Sequence, residues 1–239
     1  MNSHTVFDVV IVGAGPAGCT AALALQGSGL SVALLEKGRF PRDKVCGDAI
    51  PGPAFKTLYE LNPDWGEQLF ALKAQQRIYE SEFVLSKDRG LGMEWKMKTY
   101  NARRLDFDNH LWEMVQQHTE TKTYEDTFVK SITPKDNGVV LHTARQQSFF
   151  AKVIIGADGA NGVTARQLAG YRLNRAHHCA AVRAYYRNVD HLEPNKNLFF
   201  TQKKFLPGYF WIFPLPNGEA NVGLGMRSDI LKKRKVNLR

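Results

Sequence analysis

Apolar and polar positions change period several times along the chain, and each change marks an element. Val6 to Val12 is a β-branched apolar run broken only by Asp8. A run of that kind predicts a parallel strand buried on both faces. A glycine cluster follows at once, Gly13-Ala14-Gly15-Pro16-Ala17-Gly18, and small residues then dominate as far as Ala24. Pro16 suits the first turn of a helix, where its missing N–H costs nothing. Gly27 and Gly29 predict the end of that helix, and Ser31 to Leu35 a second apolar strand running into Glu36. From Asn101 to His118 the residues Leu105, Leu111, Trp112 and Val115 form an approximate helical stripe. Asp106 and Asp108 fall in its first turn, where carboxylates suit the helix dipole. Lys122 to Phe128, Val129 to Thr133 and Val139 to His142 read as strands, with Asp136-Asn137-Gly138 as a hairpin turn. Phe149 to Ile155 is a further apolar strand, and it enters a second glycine turn, Gly156-Ala157-Asp158-Gly159-Ala160-Asn161-Gly162.

Composition narrows the class. The 239 residues are enough for one large domain or two small ones with a real core. A hydrophobic share of 44% and a charged share of 23% are ordinary for a soluble globular protein. No apolar run approaches the length of a bilayer span, and the start of the chain lacks the basic stretch and cleavage site of a signal peptide, so a cytoplasmic protein is expected. The cysteines are Cys19, Cys46 and Cys179, with no CxxC and no Cys/His ligand spacing. That pattern favours neither a disulfide framework nor a metal site. The net charge of +9 suits a solvated basic surface, with an anionic ligand or membrane face as the second reading. Part of it lies in Lys232-Lys233-Arg234-Lys235 and Arg239, which read as an exposed helix or tail. Nucleic acid is not expected, since no binding motif and no basic stripe interleaved with aromatics is present.

The first glycine cluster carries chemistry. Gly13 permits a tight turn, Gly15 has no side chain to block a pyrophosphate, and Gly18 lets a helix approach a strand. The helix N-terminus offers unpaired N–H groups and a positive dipole end to phosphates. Glu36 stands eighteen residues past Gly18 at a strand end, where a carboxylate accepts hydrogen bonds from both ribose hydroxyls. The whole strand–turn–helix–strand–acid unit predicts a dinucleotide site. Its candidate contacts are Gly13, Gly15, Pro16, Ala17, Gly18, Glu36 and the neighbouring Lys37. This unit alone does not separate NAD from FAD, because both use the same adenosine grip.

The second glycine turn resembles the Gly-Ala-Asp-Gly-Ala-x-Ser-x-x-Arg segment of the flavoproteins that include aromatic-ring hydroxylases, flavin halogenases and geranylgeranyl reductases. Asp158, Gly159 and Arg166 match it. Gly162 stands where serine is usual, so a hydroxyl contact is lost or a backbone N–H takes its place. The resemblance implies FAD, with Asp158 near the ribityl and pyrophosphate, and NAD(P)H or another donor acting transiently. The same class opens a helix with Arg-x-x-Phe-Asp, matched by Arg104, Phe107 and Asp108, which implies Arg104 on the FAD phosphates. Pro41-Arg42-Asp43-Lys44-Val45-Cys46-Gly47 resembles the Pro-x-x-Lys-x-Cys-Gly loop of the geranylgeranyl reductase family. That likeness implies a loop facing the flavin, with Cys46 as the candidate catalytic residue. Lys44 is its cofactor-side neighbour, a cation able to lower a thiol pKa. Gly208-Tyr209-Phe210-Trp211-Ile212-Phe213-Pro214 resembles the family's Tyr-x-Trp-x-Phe-Pro stretch and implies that Tyr209 and Trp211 line a substrate pocket.

The expected fold is α/β, a Rossmann-type FAD-binding domain with a parallel sheet, interleaved with a mainly antiparallel β-sheet substrate domain and incomplete at the C-terminus. The FAD-binding part is placed at residues 1–75 and 101–176, the substrate sheet at 76–100 and 177–226, and a truncated helix or tail at 227–239. The implied activity is reduction of C=C bonds in a prenyl or other apolar substrate by hydride transfer from reduced flavin. Two alternatives stand beside it: an FAD-dependent monooxygenase or halogenase, and a truncated FAD-fold fragment without activity. The second arises because the class's third flavin segment, Gly-Asp-Ala, is missing after Gly225; Gly47-Asp48-Ala49 has that spelling but comes far too early. A lipid substrate leaves a peripheral membrane contact open, and the motifs do not specify an oligomeric state.

Overall fold

Strand β1 (Thr5–Val12) owes its composition to its place. It is hydrogen-bonded in parallel to a strand on each side, Val32–Leu35 and Ser148–Gly156. Val9 to Val12 are buried, but Val6 is 63% exposed, so burial begins at Phe7 rather than at the start of the apolar run. The computed structural model describes residues 5–87, 89–203 and 205–238. After β1 come α1 (Pro16–Ala24), β2 (Val32–Leu35), β3 (Ala49–Ile50), α2 (Gly52–Leu61), α3 (Pro63–Phe70), β4 (Gln75–Ser86) and β5 (Arg89–Ala102). The middle of the chain forms α4 (Arg104–His118), β6 (Lys122–Tyr124), β7 (Val129–Lys135), β8 (Gly138–Thr143), β9 (Ser148–Gly156) and α5 (Val163–Leu168). The last elements are β10 (Cys179–Arg187), β11 (Lys196–Phe200), β12 (Gly208–Leu215), β13 (Glu219–Arg227) and α6 (Ser228–Arg234). No described helix is long and apolar enough to cross a membrane.

The chain divides into two compact units. One holds the described residues up to Arg42 together with Asp108–Arg172; the other holds Asp43–Phe107 and the described residues from Leu173 onward. Residues 43–75, grouped above with the nucleotide-binding part, therefore pack in the second unit. The reason is local: β3 pairs with β5, and Phe55 of α2 stacks with Phe70 of α3 and meets Tyr100 of β5.

The first unit is a six-stranded sheet in the order β6-β2-β1-β9-β8-β7. Its first four strands are parallel, and β9, β8 and β7 form an antiparallel meander. The Asp136-Asn137 turn closes the β7–β8 hairpin, with Lys135 opposite Gly138. Lys122 to Phe128 does not form one strand. Only Lys122–Tyr124 does, and it joins the parallel side beside β2. Phe7, Val10, Val12, Leu35, Leu141 and Phe149 make up much of the core. Helix α4 starts at Arg104 rather than Asn101, because Asn101 still belongs to β5, where its amide donates to Asn197 and to the Pro214 carbonyl. Its buried stripe is Phe107, Leu111, Trp112, Met114 and Val115, while Leu105 is 37% exposed.

The second unit is a seven-stranded sheet in the order β10-β13-β12-β11-β4-β5-β3, antiparallel at every pairing except β11–β4. The basic segment expected as a helix or tail forms α6, which ends at Lys235 in the left-handed region. Arg239 lies outside the described residues.

The tightest packing in the first unit lies where α1 leaves β1. A Cβ on Gly18 would stand 1.8 Å from the Gly13 carbonyl oxygen. Because that oxygen belongs to the backbone, relief requires the helix to move away from the strand. Gly18→Ala is expected to destabilise the unit by about 1–3 kcal/mol, the range for overpacking. A fall in the urea midpoint checks this.

Candidate functional site

The two glycine turns come together at the C-terminal ends of β1 and β9. The Gly13 N–H donates to Leu35 O and the Ala157 N–H to Val12 O, both at 2.8 Å. Gly13 has φ +97°, and a Cβ there would stand 2.4 Å from Ala157 O and 2.9 Å from Asp158 Cα. Pro16 opens α1, Gly15 before it is extended, and no side chain caps the helix. The first-turn N–H groups of Ala17 and Gly18 have no intrahelical acceptor, as at any helix start.

Glu36 follows β2 and is buried. One carboxylate oxygen accepts from the Ala14 N–H at 3.0 Å, and the other accepts from the Gly38 N–H at 3.0 Å. Arg42 adds a third bond, from Nη2 to Oε2 at 3.3 Å. A carboxylate has about four acceptor positions, so little capacity remains beyond these three. Lys37 is exposed beside it.

Arg42 is the residue that motif reading missed. Its Nη1 donates to Asp108 Oδ2 at 2.9 Å while Nη2 reaches Glu36, so one guanidinium joins two buried carboxylates. The guanidinium lies over the Phe40 ring at 4.7 Å, and Phe40 stacks on Trp112. Asp108 was expected to act on the helix dipole. It is instead fully buried, and its charge is met by Arg42. The only signal in the sequence would have been the need of a buried Asp108 for a cation, and burial is not written in the sequence.

Asp158 follows β9 and caps α5. Its Oδ2 accepts from the Thr164 N–H at 3.0 Å and the Thr164 hydroxyl at 3.1 Å. A Cβ on Gly162 would stand 2.1 Å from Asp158 Oδ1. A side chain at 162 would require the Asp158 carboxylate to move, and the hydroxyl that meets this carboxylate is that of Thr164. The Gly162 N–H donates to Gly159 O at 2.9 Å, and Arg166 Nε donates to Gly162 O at 3.0 Å. Gly159 has φ +80°.

The second unit gathers the other candidates on one face of its sheet. Tyr209, Trp211 and Phe213 alternate along β12 and form a run of rings, with Phe199 of β11 against Tyr209 and Phe213, and Phe83 of β4 against Phe199. Tyr209 is 43% exposed; Trp211 is 5% exposed, and its Nε1 donates to Asn221 Oδ1 at 2.9 Å. The cysteine loop reaches the same face. Cys46 O accepts from Asn221 Nδ2 at 2.8 Å, and the Cβ position of Gly47 lies 3.0 Å from the Phe213 ring and 3.5 Å from Trp211 Nε1. Cys46 itself is half-buried. Lys44 is exposed and its Nζ donates to the Val45 carbonyl at 3.1 Å. Arg104 is the half-buried first residue of α4. Arg103 pairs with Glu219 and lies over the Tyr185 ring, which has Arg183 at 4.1 Å as well.

Asp48, also in this unit, is a buried carboxyl whose pKa is raised above the ordinary 3.8. Burial is the main cause. Hydrogen bonds from Asn221 and Tyr185, the Arg183 charge and the Arg104 backbone N–H oppose it without cancelling it. An acid with a raised folded pKa helps the folded state most at low pH; that help is lost as pH climbs from the ordinary value through the raised one.

Two outcomes follow from these charges. Arg42→Ala leaves two buried carboxylates without their cation and is expected to cost about 3–5 kcal/mol, read as a lower urea midpoint. For Asp48→Asn, the stability difference between parent and variant is expected to move in the variant's favour as pH rises above 4. Urea midpoints across a pH series measure it, and a difference constant with pH would exclude the effect.

A family model described as FAD binding domain matches residues 6–180, and one described as geranylgeranyl reductase catalytic domain matches 177–238. A menaquinone reductase from Mycolicibacterium smegmatis is 31% identical, over 93% of this chain and 55% of its own length. A digeranylgeranylglycerophospholipid reductase from Methanocella arvoryzae is 31% identical, over 95% of this chain and 58% of its own. The chain thus spans a little over half the length of the curated relatives it matches. Among solved structures, a geranylgeranyl bacteriochlorophyll reductase-like protein from Thermoplasma acidophilum superposes with a TM-score of 0.77 at 21% identity, over 98% of this chain and 59% of that one. Flavin-dependent halogenases share the fold at similarly low identity, a likeness that speaks for the fold alone. With the FAD-binding model covering most of the chain, the chain belongs to the FAD-binding domain family, and its residues 177–238 match the geranylgeranyl reductase catalytic domain.

Proposed function

We propose that this chain carries the cofactor site and the thiol-bearing aromatic face of an FAD-dependent reductase acting on C=C bonds of a prenyl or similar apolar lipid. Relatives named for menaquinone and digeranylgeranylglycerophospholipid support that substrate class. One observation carries the reading: Asn221 holds the Cys46 loop on the sheet face that bears Tyr209, Trp211 and Phe213, so a thiol and an apolar ring surface belong to one assembly.

The first unit fits FAD. Its α1 N-terminus has no side-chain cap, Gly13, Gly15 and Gly18 keep side chains away from the turn, and the Asp158 turn abuts Gly13. In this reading Gly13, Gly15, Pro16, Ala17 and Gly18 hold the pyrophosphate through backbone N–H groups. Glu36, held rigid by Ala14, Gly38 and Arg42, meets the ribose with its remaining acceptor position. Asp158 and Gly159 serve the ribityl end, and Lys37 contributes positive charge beside Glu36, while Lys44 and Arg104 supply positive charge within the second unit. When bound in its reduced form, FAD supplies the two electrons for the reduction. Cys46 is positioned to donate or hold a proton, and Tyr209 with Trp211 excludes water from an apolar chain. NAD(P)H or another donor of two electrons restores the reduced cofactor. The excess of basic residues suits contact with an anionic membrane that holds such a lipid.

The test is made on the full-length protein. Added FAD is expected to give a bound flavin spectrum, and the reduced holoprotein to add two hydrogens to a geranylgeranyl chain, read by mass spectrometry. Cys46→Ser is expected to lower that turnover about 100-fold or more with the flavin spectrum kept. No flavin uptake, or a Cys46→Ser protein that reduces the chain at the parent rate, would sink the reading. Oxygen-dependent product formation surviving in that variant would favour an oxygenase.

A further inference from the structure

Asp48 has no task in the reading above, yet the fold holds it at a cost. It lies two residues past Cys46, has φ +66° and is fully buried. Its Oδ2 accepts from the Tyr185 hydroxyl and from Asn221 Nδ2, both at 2.8 Å, but its Oδ1 is buried with no hydrogen-bond partner among the described residues. A left-handed backbone on a non-glycine residue and an unpaired buried carboxyl oxygen both oppose folding. A buried polar group kept against such costs points to function more than to stability.

The partner of Asp48 explains what is gained. Asn221 is fully buried and satisfied on every side. Its oxygen accepts from Trp211 Nε1, and its amide nitrogen donates to Cys46 O and to Asp48 Oδ2. An indole N–H can only donate, so Trp211 fixes which end of the amide is oxygen. The NH2 end must then face Cys46 and Asp48. Asp48 takes one of its two hydrogens, which directs the other onto the Cys46 carbonyl. The Asp48 carbonyl also accepts the Ala102 N–H at 2.9 Å, tying the end of the loop to the sheet.

We propose that Asp48 and Asn221 are positioning residues for Cys46, a buried amide–carboxyl pair that sets the Cys46 backbone, and with it the thiol, against the Tyr209–Trp211 face. The proposal rests on the reading of Cys46 as an active-site thiol, but its test does not use turnover. The holoprotein is treated with iodoacetamide and the alkylation rates of Cys46, Cys179 and Cys19 are followed by peptide mass mapping. Cys179 is exposed and Cys19 is buried, so they report surface reactivity and global opening in the same sample. Asn221→Ala and Asp48→Ala are expected to raise the Cys46 rate about tenfold or more, the order of one lost buried hydrogen bond, with the other two rates unchanged. Asp48→Asn keeps an acceptor and tolerates the left-handed backbone, so it is expected to stay near the parent rate. A Cys46 rate unchanged in both alanine variants, or all three cysteines rising together, would overturn the proposal. If instead Cys46→Ser retains turnover while the alkylation pattern is as expected, the positioning stands and the catalytic reading of Cys46 falls.

Discussion

The first unit depends on a close approach of backbone to backbone. The end of β1, the start of α1 and the turn after β9 meet where Gly13 has no side chain and Gly18 would have none to spare room for. That contact brings both glycine turns to one edge of the parallel sheet. It also leaves the uncapped N-terminus of α1 beside them. Phosphate recognition by backbone N–H groups depends on glycine where the backbone must approach closely. The apolar strands serve this arrangement. They bury β1 between two neighbours, so its end cannot shift without opening the core.

Buried carboxyls are handled in two ways in this protein. Glu36 and Asp108 share the guanidinium of Arg42, so their charges are met directly. Asp48 is met by hydrogen bonds rather than by an ion pair, with Arg183 acting through its charge, and burial raises its pKa. The first pattern makes a rigid frame around a nucleotide turn. The second couples a loop to a sheet through a single amide, Asn221, whose orientation is dictated by an indole. The aromatic stretch on β12 accordingly has two roles. Tyr209 remains open to solvent, whereas Trp211 is part of the support beneath the cysteine loop.

Much of the fold was legible because its signals are local. A β-branched run, a glycine turn, a proline at a helix start and an acid at a strand end each follow from the conformational preferences of the residues themselves. The Asn-Gly hairpin between β7 and β8 is of the same kind. The departures arise where partners far along the chain decide. Lys122–Tyr124 joins β2 rather than the meander, and Leu105 is partly exposed although it lies one turn before the buried Asp108. Gly162 reads as a lost serine, whereas in the fold the Asp158 carboxylate lies against it and bonds Thr164.

Sequence alone determined the strand and helix types around the two glycine turns, the turns themselves, the candidate acid Glu36 and the likeness of the cysteine loop and aromatic stretch to a reductase, but not the helices α2 and α3. Those features are written in neighbouring residues, whose backbone preferences and spacing act within a few positions. Tertiary structure decided which charges meet and which side chains are buried. Arg42 reaches Asp108 across 66 positions, and Asn221 reaches Cys46 across 175. No local preference encodes such contacts. They exist because strand pairing brings distant segments together, and because low-dielectric surroundings make every polar group there find a partner or bear the cost of lacking one.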